Sequence, residues 1–398
     1  MGRFDITAPE VRANPYPFYA RLRAEPQIRQ IEPTGHYFVG CYDDVVDALR
    51  RVGDFSSVEM AKQIGPVTAI ASLLGVSLDD LPPTIISSDN PTHDRLRRVL
   101  RGRFTTRALA AIEEPVRRLT DSLVRKIDDM GEFDLVREFT VPLPVIVIAQ
   151  MLGIEEDRYE DFKRWSDALV RIVGSGGAER ERHQTDMVEL VRYFMEIAER
   201  RRLEPGDDLV SVLVRAAEQP DCISGAEVLT YLVLLLVAGN ETTTNLIGGM
   251  VEALLDNPSE LAKIQVDSGL LHNAVEEGLR FCSPVQGLFR SATRDTPLGG
   301  TKIPRGAPLM ICYASANHDE ARFPDPERFD VTRDTREHVA FGVGLHFCLG
   351  AHLARREARI AIEHLLPLLP RLRRTHDERE YVDSWFLRGP KTLPLALG

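Results

Sequence analysis

The stretch HVAFGVGLHFCLGAHLARREARIAIEHL, from His338 to Leu365, decides how this chain is read. Its first half spaces Gly342, Gly344 and Gly350 around one cysteine, Cys348, and its second half carries apolar residues at helical spacing. Glycines remove side chains from around the sulfur, so that backbone amides can approach it and a flat ligand can lie close to the chain. A helix starting just beyond the cysteine adds amide donors and a dipole that favour a thiolate. Taken alone, a cysteine in a glycine-rich turn is more often a buried structural residue. Distant parts of the chain must therefore separate the two readings.

The bulk properties narrow the field. The chain has 398 residues, 43% hydrophobic and 27% charged, which is the composition of an ordinary globular protein. Its 49 basic residues against 60 acidic ones give a net charge of −11, which argues against a surface devoted to nucleic acid. The first residues, MGRFDITAPEVRANPYPFY, carry no apolar leader, and the longest apolar run, YLVLLLVAG from Tyr231, is too short to span a bilayer. A cytoplasmic protein without membrane attachment is expected. Five cysteines without a CxxC pair suggest thiols rather than disulfides or a zinc cluster, most of them buried and inert.

Apolar residues recur at 3.6-residue spacing in EEPVRRLTDSLVRKIDDM from Glu113 and DMVELVRYFMEIAERR from Asp186, so the protein is expected to be mainly α. Short strand-like pieces, GHYFVGC, KIPRGAPLMICYASA and KTLPLAL, predict small sheets beside the helical body. The polar breaks GSGGAER at Gly174 and EPGDDLVSVL at Glu204 are loops too short to divide the chain, which gives one domain over residues 1–398. Asp207 or Asp208 is suited to cap the helix that follows.

Three further stretches carry chemistry. AVEEGLR places Glu277 and Arg280 at i, i+3, one face of a helix, where a plain surface ion pair is also common. LLLVAGNETTTN sets Leu234, Ala238, Glu241 and Thr242 on about one face of an apolar helix, and an acid beside an alcohol there needs a reason beyond back-bonding to the preceding turn. NPTHDRLRRVLRGRF puts His93 and Arg97 one turn apart, two cations suited either to one carboxylate ligand or to a solvated basic helix.

FGVGLHFCLG, from Phe341 to Gly350, resembles the haem-binding loop F-G-x-G-x-H/R-x-C-x-G of the cytochrome P-450 superfamily, at every fixed position. The resemblance continues through AGNETT, ExxR and HxxxR, in the family's order. It implies a helical body with small β-sheets around a buried haem b, with Cys348 as axial thiolate, Phe341 packed near the sulfur, and Gly342 and Gly350 shaping the loop. His346, His93, Arg97 and Arg290 of FRSATRD are implied at the haem propionates. Ala238 is implied to open a groove over the haem, with Glu241 and Thr242 directing protons to bound oxygen. Glu277, Arg280 and Arg328 of FPDPERFDVTR are implied as a buried structural triad.

The implied activity is monooxygenation of a lipophilic small molecule by O2, the substrate being a terpenoid, steroid, fatty acid or polyketide. Electrons would come from a separate ferredoxin or flavodoxin with its NAD(P)H reductase, and the protein would act as a monomer. Arg95, Arg98, Arg101, Arg103, Arg355, Arg356 and Arg359 are read as a positive face suited to an acidic donor. Two other classes fit less of the sequence. A haem sensor or carrier leaves Glu241 and Thr242 without a task, and a cysteine hydrolase with His346 as base leaves ExxR and HxxxR unexplained. Residues Pro66 to Ile86, the loop near Gly174, the Leu234 to Thr242 face, Val285 to Phe289 and Trp385 to Leu387 are expected to wall the substrate pocket.

Overall fold

The computed structural model describes residues 4–63, 77, 80–171 and 177–398. Most of the Pro66 to Ile86 wall and the loop at Gly174 lie outside these residues. The chain forms two compact units, each assembled from several stretches: Met1–Ser56, Ile112–Leu143 and Thr242–Gly398 in one, Ser57–Ala111 and Pro144–Glu241 in the other.

The first unit holds the sheets. Tyr37–Val39 runs parallel to Pro308–Ile311, which pairs antiparallel with Leu288–Ala292, and Phe55–Ser56 closes the other edge of this four-stranded sheet. Val39, Phe55, Leu309 and Ile311 join Val45 and Leu49 in one buried cluster, into which Tyr313 and Val339 also pack. Glu132–Asp134, Pro394–Leu397 and Leu372–Arg374 make a second sheet of three strands. The three strand-like stretches of the sequence are all found as strands. The others, such as Phe55–Ser56 and Glu132–Asp134, are too short for alternation to register and depend on their tertiary partners.

The second unit is helical. Tyr159–Arg171 and Gly177–Leu203 pack together with Phe162 and Phe194 edge to face at 6.3 Å, both fully buried. Burial of such a side chain is worth about 1.5–3 kcal/mol. Leu209–Ala217 is capped by Asp208, whose carboxylate accepts from the Ser211 amide at 2.7 Å, which settles the choice between the two aspartates.

The Gly225–Asp256 helix, 32 residues long, contributes its first half to one unit and its second half to the other. Among the described residues no helix is long and apolar enough to cross a membrane.

Candidate active site

The cysteine loop belongs to the first unit. Gly342 and Gly344 have φ of 69° and 76°, left-handed values that a side chain would strain. Between them the chain folds back, so that the Cys348 amide donates to the Phe341 carbonyl at 3.0 Å. The helix Ala351–Leu365 begins directly after, with Gly350 at its N-cap. A Cβ placed on Gly350 would meet nothing within 4 Å, so one side of the loop is open ground, and Cys348 itself is half-buried. Burial pushes Cys41 up to about 11 and Cys312 to about 12, and raises Cys282 as well, which keeps all three protonated at neutral pH.

Arg290 approaches this loop from the sheet. Its strand pairs it with Leu309, and the residue is 3% exposed, with its guanidinium donating to the Phe289 carbonyl at 2.7 Å. The buried Tyr313 hydroxyl, its ionisation opposed by burial and by nearby Cys348, is hydrogen-bonded to Arg290 and would lie 3.6 Å from a Cβ on Gly342. A buried cation is thereby held beside the cysteine loop. His346 closes the short 3-10 turn Gly344–His346 within the loop.

In the second unit His93 opens the Thr92–Leu100 helix and is fully buried, its Nδ1 at 3.2 Å from the Asp94 carboxylate, with Arg97 one turn later. Burial lowers the His93 pKa, which favours the neutral ring.

On the long helix, Leu232, Leu236 and Asn240 are buried, whereas Ala238 is exposed and Leu234, Glu241 and Thr242 are partly so. The face singled out by spacing is thus the accessible one on an apolar helix. Asn240 anchors the opposite side through Ser166, and loss of solvent pushes the Glu241 carboxyl up to about 7. A carboxyl at that value exchanges protons readily near neutral pH, and its neighbour in sequence is an alcohol.

Glu277 and Arg280 form a bidentate pair at 2.7 and 2.8 Å with both side chains fully buried. The third member of this cluster is Arg333 rather than Arg328. Arg333 donates from Nε to Glu277 Oε1 at 3.3 Å, while the Arg328 side chain is 60% exposed and pairs with Asp330. Arg328 contributes only its backbone carbonyl, which accepts from Arg280 and Arg333. The turn at Asp330, whose amide donates to Glu277 at 3.0 Å, carries the later arginine inward.

The arginine face also differs from its expectation. Arg95 is bound to Glu227, Arg103 to Asp207, Arg355 to Glu276, and Arg356 and Arg359 to Glu113, leaving Arg98 and Arg101 as exposed members for which no acidic partner is found among the described residues. Neutralisation within the chain removes most of the field that would steer an acidic donor.

A family model, Cytochrome P450, matches residues 75–369. The chain belongs to the cytochrome P450 family. It is 36% identical to 6-deoxyerythronolide B hydroxylase of Saccharopolyspora erythraea, over 99% of this chain and 98% of that one. It is 36% identical to a vitamin D(3) 25-hydroxylase of Pseudonocardia autotrophica, over 97% and 94% respectively. The solved structure of cytochrome P450 CYP109Q5 from Chondromyces apiculatus superposes with a TM-score of 0.88 at 41% identity, covering 99% of this chain and 97% of that one. As a cytochrome P450 the protein is a haem-thiolate monooxygenase, and the loop fits the cofactor. It offers a half-buried thiol, open ground at Gly350 for a planar ring, and the buried charge of Arg290 suited to a carboxylate.

Three residues beside the loop or on the helix that follows it were not singled out from the sequence. His338 opens the quoted stretch, Glu276 precedes the ExxR glutamate, and Glu357 lies on the helix after Cys348, 2% exposed and with its carboxyl pushed up to about 8 by burial. The signal for Glu357 was available: an acid among Leu353, Ala358, Ala361 and Leu365 on the apolar face of that helix.

Proposed function

We propose that this cytochrome P450 hydroxylates or epoxidises a lipophilic small molecule, with haem b held by Cys348. When bound, the thiolate-ligated haem supplies O2 activation. In this reading Phe341, Gly342 and Gly350 shape the ligand loop, and His93, Arg97, Arg290 and His346 hold the propionates by charge-assisted hydrogen bonds. Ala238 keeps the helix low where O2 and substrate meet, and Glu241 passes protons toward Thr242. Substrate would lie against apolar walls that include Val285, Leu288 and Leu387, all partly accessible.

The whole chain then acts as one catalytic domain, monomeric and cytoplasmic, receiving electrons from a ferredoxin or flavodoxin and its NAD(P)H reductase, with no nucleic-acid or membrane partner. The observation that carries the reading is the geometry of the cysteine loop: a half-buried thiol between two left-handed glycines and a helix N-terminus, with open ground at Gly350. The accessible acid and alcohol on the long helix support turnover over mere haem carriage.

The test is oxygenation with isotopically labelled O2. Purified protein, a surrogate ferredoxin with its reductase, and a panel of macrolide aglycones, steroids, terpenoids and fatty acids should yield at least one product carrying one labelled oxygen atom. Tight spectral binding across the panel with no labelled product under full reduction would favour a carrier or sensor.

A further inference from the structure

Glu276 joins the two ends of the cysteine loop. It stands on the Leu271–Cys282 helix, beside the buried Glu277. From the C-terminal side Arg355 donates to it twice, Nε at 2.7 Å and Nη2 at 2.9 Å, a planar fork on one carboxylate. From the N-terminal side His338 Nε2 reaches it at 3.0 Å, while His338 Nδ1 accepts from the Ala340 amide at 3.2 Å. That network assigns the proton to Nε2 and makes the ring neutral. Against the opposing effect of burial, the hydrogen bonds from His338 and Arg355 and the Arg355 charge hold Glu276 far down, at about 2, so it stays an anion throughout the neutral range.

The fork fixes where the Arg355 charge lies. Its guanidinium carbon sits 4.5 Å from the centroid of the Phe341 ring, a cation–π contact, and Phe341 is the residue whose carbonyl receives the Cys348 amide. The three side chains are 4% (His338), 14% (Glu276) and 25% (Arg355) exposed, so solvent screens the arrangement only in part. Arg356 and Arg359 on the same helix are engaged elsewhere, by Glu113, and serve as internal controls.

We infer that Arg355 is a positioning residue: locked by Glu276, it presses on Phe341 and thereby sets both the closure of the loop around Cys348 and the charge felt by the thiolate. This deepens the reading of Cys348 as haem ligand and rests on it. The guanidinium lies over Phe341 of the loop, and a cation held there favours the reduced, more negative site. Glu276 opposes it electrostatically while holding it in place.

These two roles separate in experiment. In holoprotein carrying Arg355→Leu, hydrogen exchange at the Cys348 amide should accelerate about 3- to 30-fold, the range a partly buried cation–π contact is worth. Reduction of the site should become harder in the same variant. Glu276→Gln should also speed exchange, yet make reduction easier, because it removes a negative charge. Arg355→Lys, which keeps the charge but not the fork, should speed exchange with little change in reduction potential, and it serves if the leucine variant loses haem. Arg356→Leu should alter neither quantity. A merely structural role would move stability alone, or shift the potential in one sense for both Arg355→Leu and Glu276→Gln, and either result overturns the inference. So does unchanged Cys348 exchange in all Arg355 and Glu276 variants. A parent whose reduced carbon monoxide spectrum lacks the thiolate signature would instead reject the ligand assignment itself.

Discussion

Glu277 and Arg280 meet through two parallel hydrogen bonds of 2.7 and 2.8 Å, and neither side chain touches solvent. Each charge depends on the other and on backbone groups of the Asn317 to Asp330 region. Removing one partner leaves a buried charge without its counter-ion, at a cost of about 3–5 kcal/mol.

Glu277→Ala and Arg280→Ala should therefore give little folded haem protein. Arg333→Ala should cost less, because that side chain is only a third party to the pair, and Arg328→Ala should fall within about 0.5 kcal/mol of the parent, as an exposed side chain does. Haem content and denaturant midpoints of the four variants check the order. Equal losses for Arg328→Ala and Arg333→Ala would contradict it.

That exchange of arginines shows where sequence reading stops. The cysteine loop, the accessible helix face and the ExxR pair were legible because each lies within one local element, where glycine placement and the helical period act directly. The third arginine was not, because a turn at Asp330 decides which of two side chains enters, and no spacing within FPDPERFDVTR encodes that turn's direction. The partners of Arg355 and Arg356 were hidden for the same reason, since Glu276 and Glu113 reach them from distant helices. Leu288–Ala292 also escaped as a strand: its buried residues are Phe289, Arg290 and Ala292, so a cation stands inside and the sequence shows no apolar alternation.

Glu357 carries a pH dependence. Its carboxyl is raised from 4.5 to about 8 by burial, so between those values the folded protein binds the proton and the unfolded chain does not. Stability should then fall as pH rises from about 5 to 8, by up to about 5 kcal/mol if the full shift is expressed. Glu357→Gln should flatten that slope and melt above the parent at pH 8, with the two converging near pH 4.5. Thermal melts across this range provide the check, and parallel curves would show that Glu357 does not hold the proton.

Glu241 should titrate near neutrality in the folded protein, since its carboxyl is raised to about 7. A protonated carboxyl band in the infrared difference between parent and Glu241→Gln should shrink as pH passes from 6 to 8. A band already lost by pH 5 would place Glu241 in ordinary solvent.

Thr242→Val keeps the side-chain volume and removes the hydroxyl. Substrate binding should persist, and reductant consumption should continue with hydrogen peroxide in place of product. General acid–base groups are worth about 10²–10⁴-fold, which bounds the loss of coupled turnover. Product formed per NAD(P)H is the quantity to measure, and a parent-like ratio would remove Thr242 from proton delivery.

Cys348 as the axial thiolate is the central assignment, and the reduced carbon monoxide spectrum of Cys348→His tests it most directly. The parent should show the strongly red-shifted Soret band of a thiolate-ligated haem. The variant should retain haem and absorb instead where an imidazole-ligated haem does. A Cys348→His protein with the parent's band unchanged would contradict the assignment.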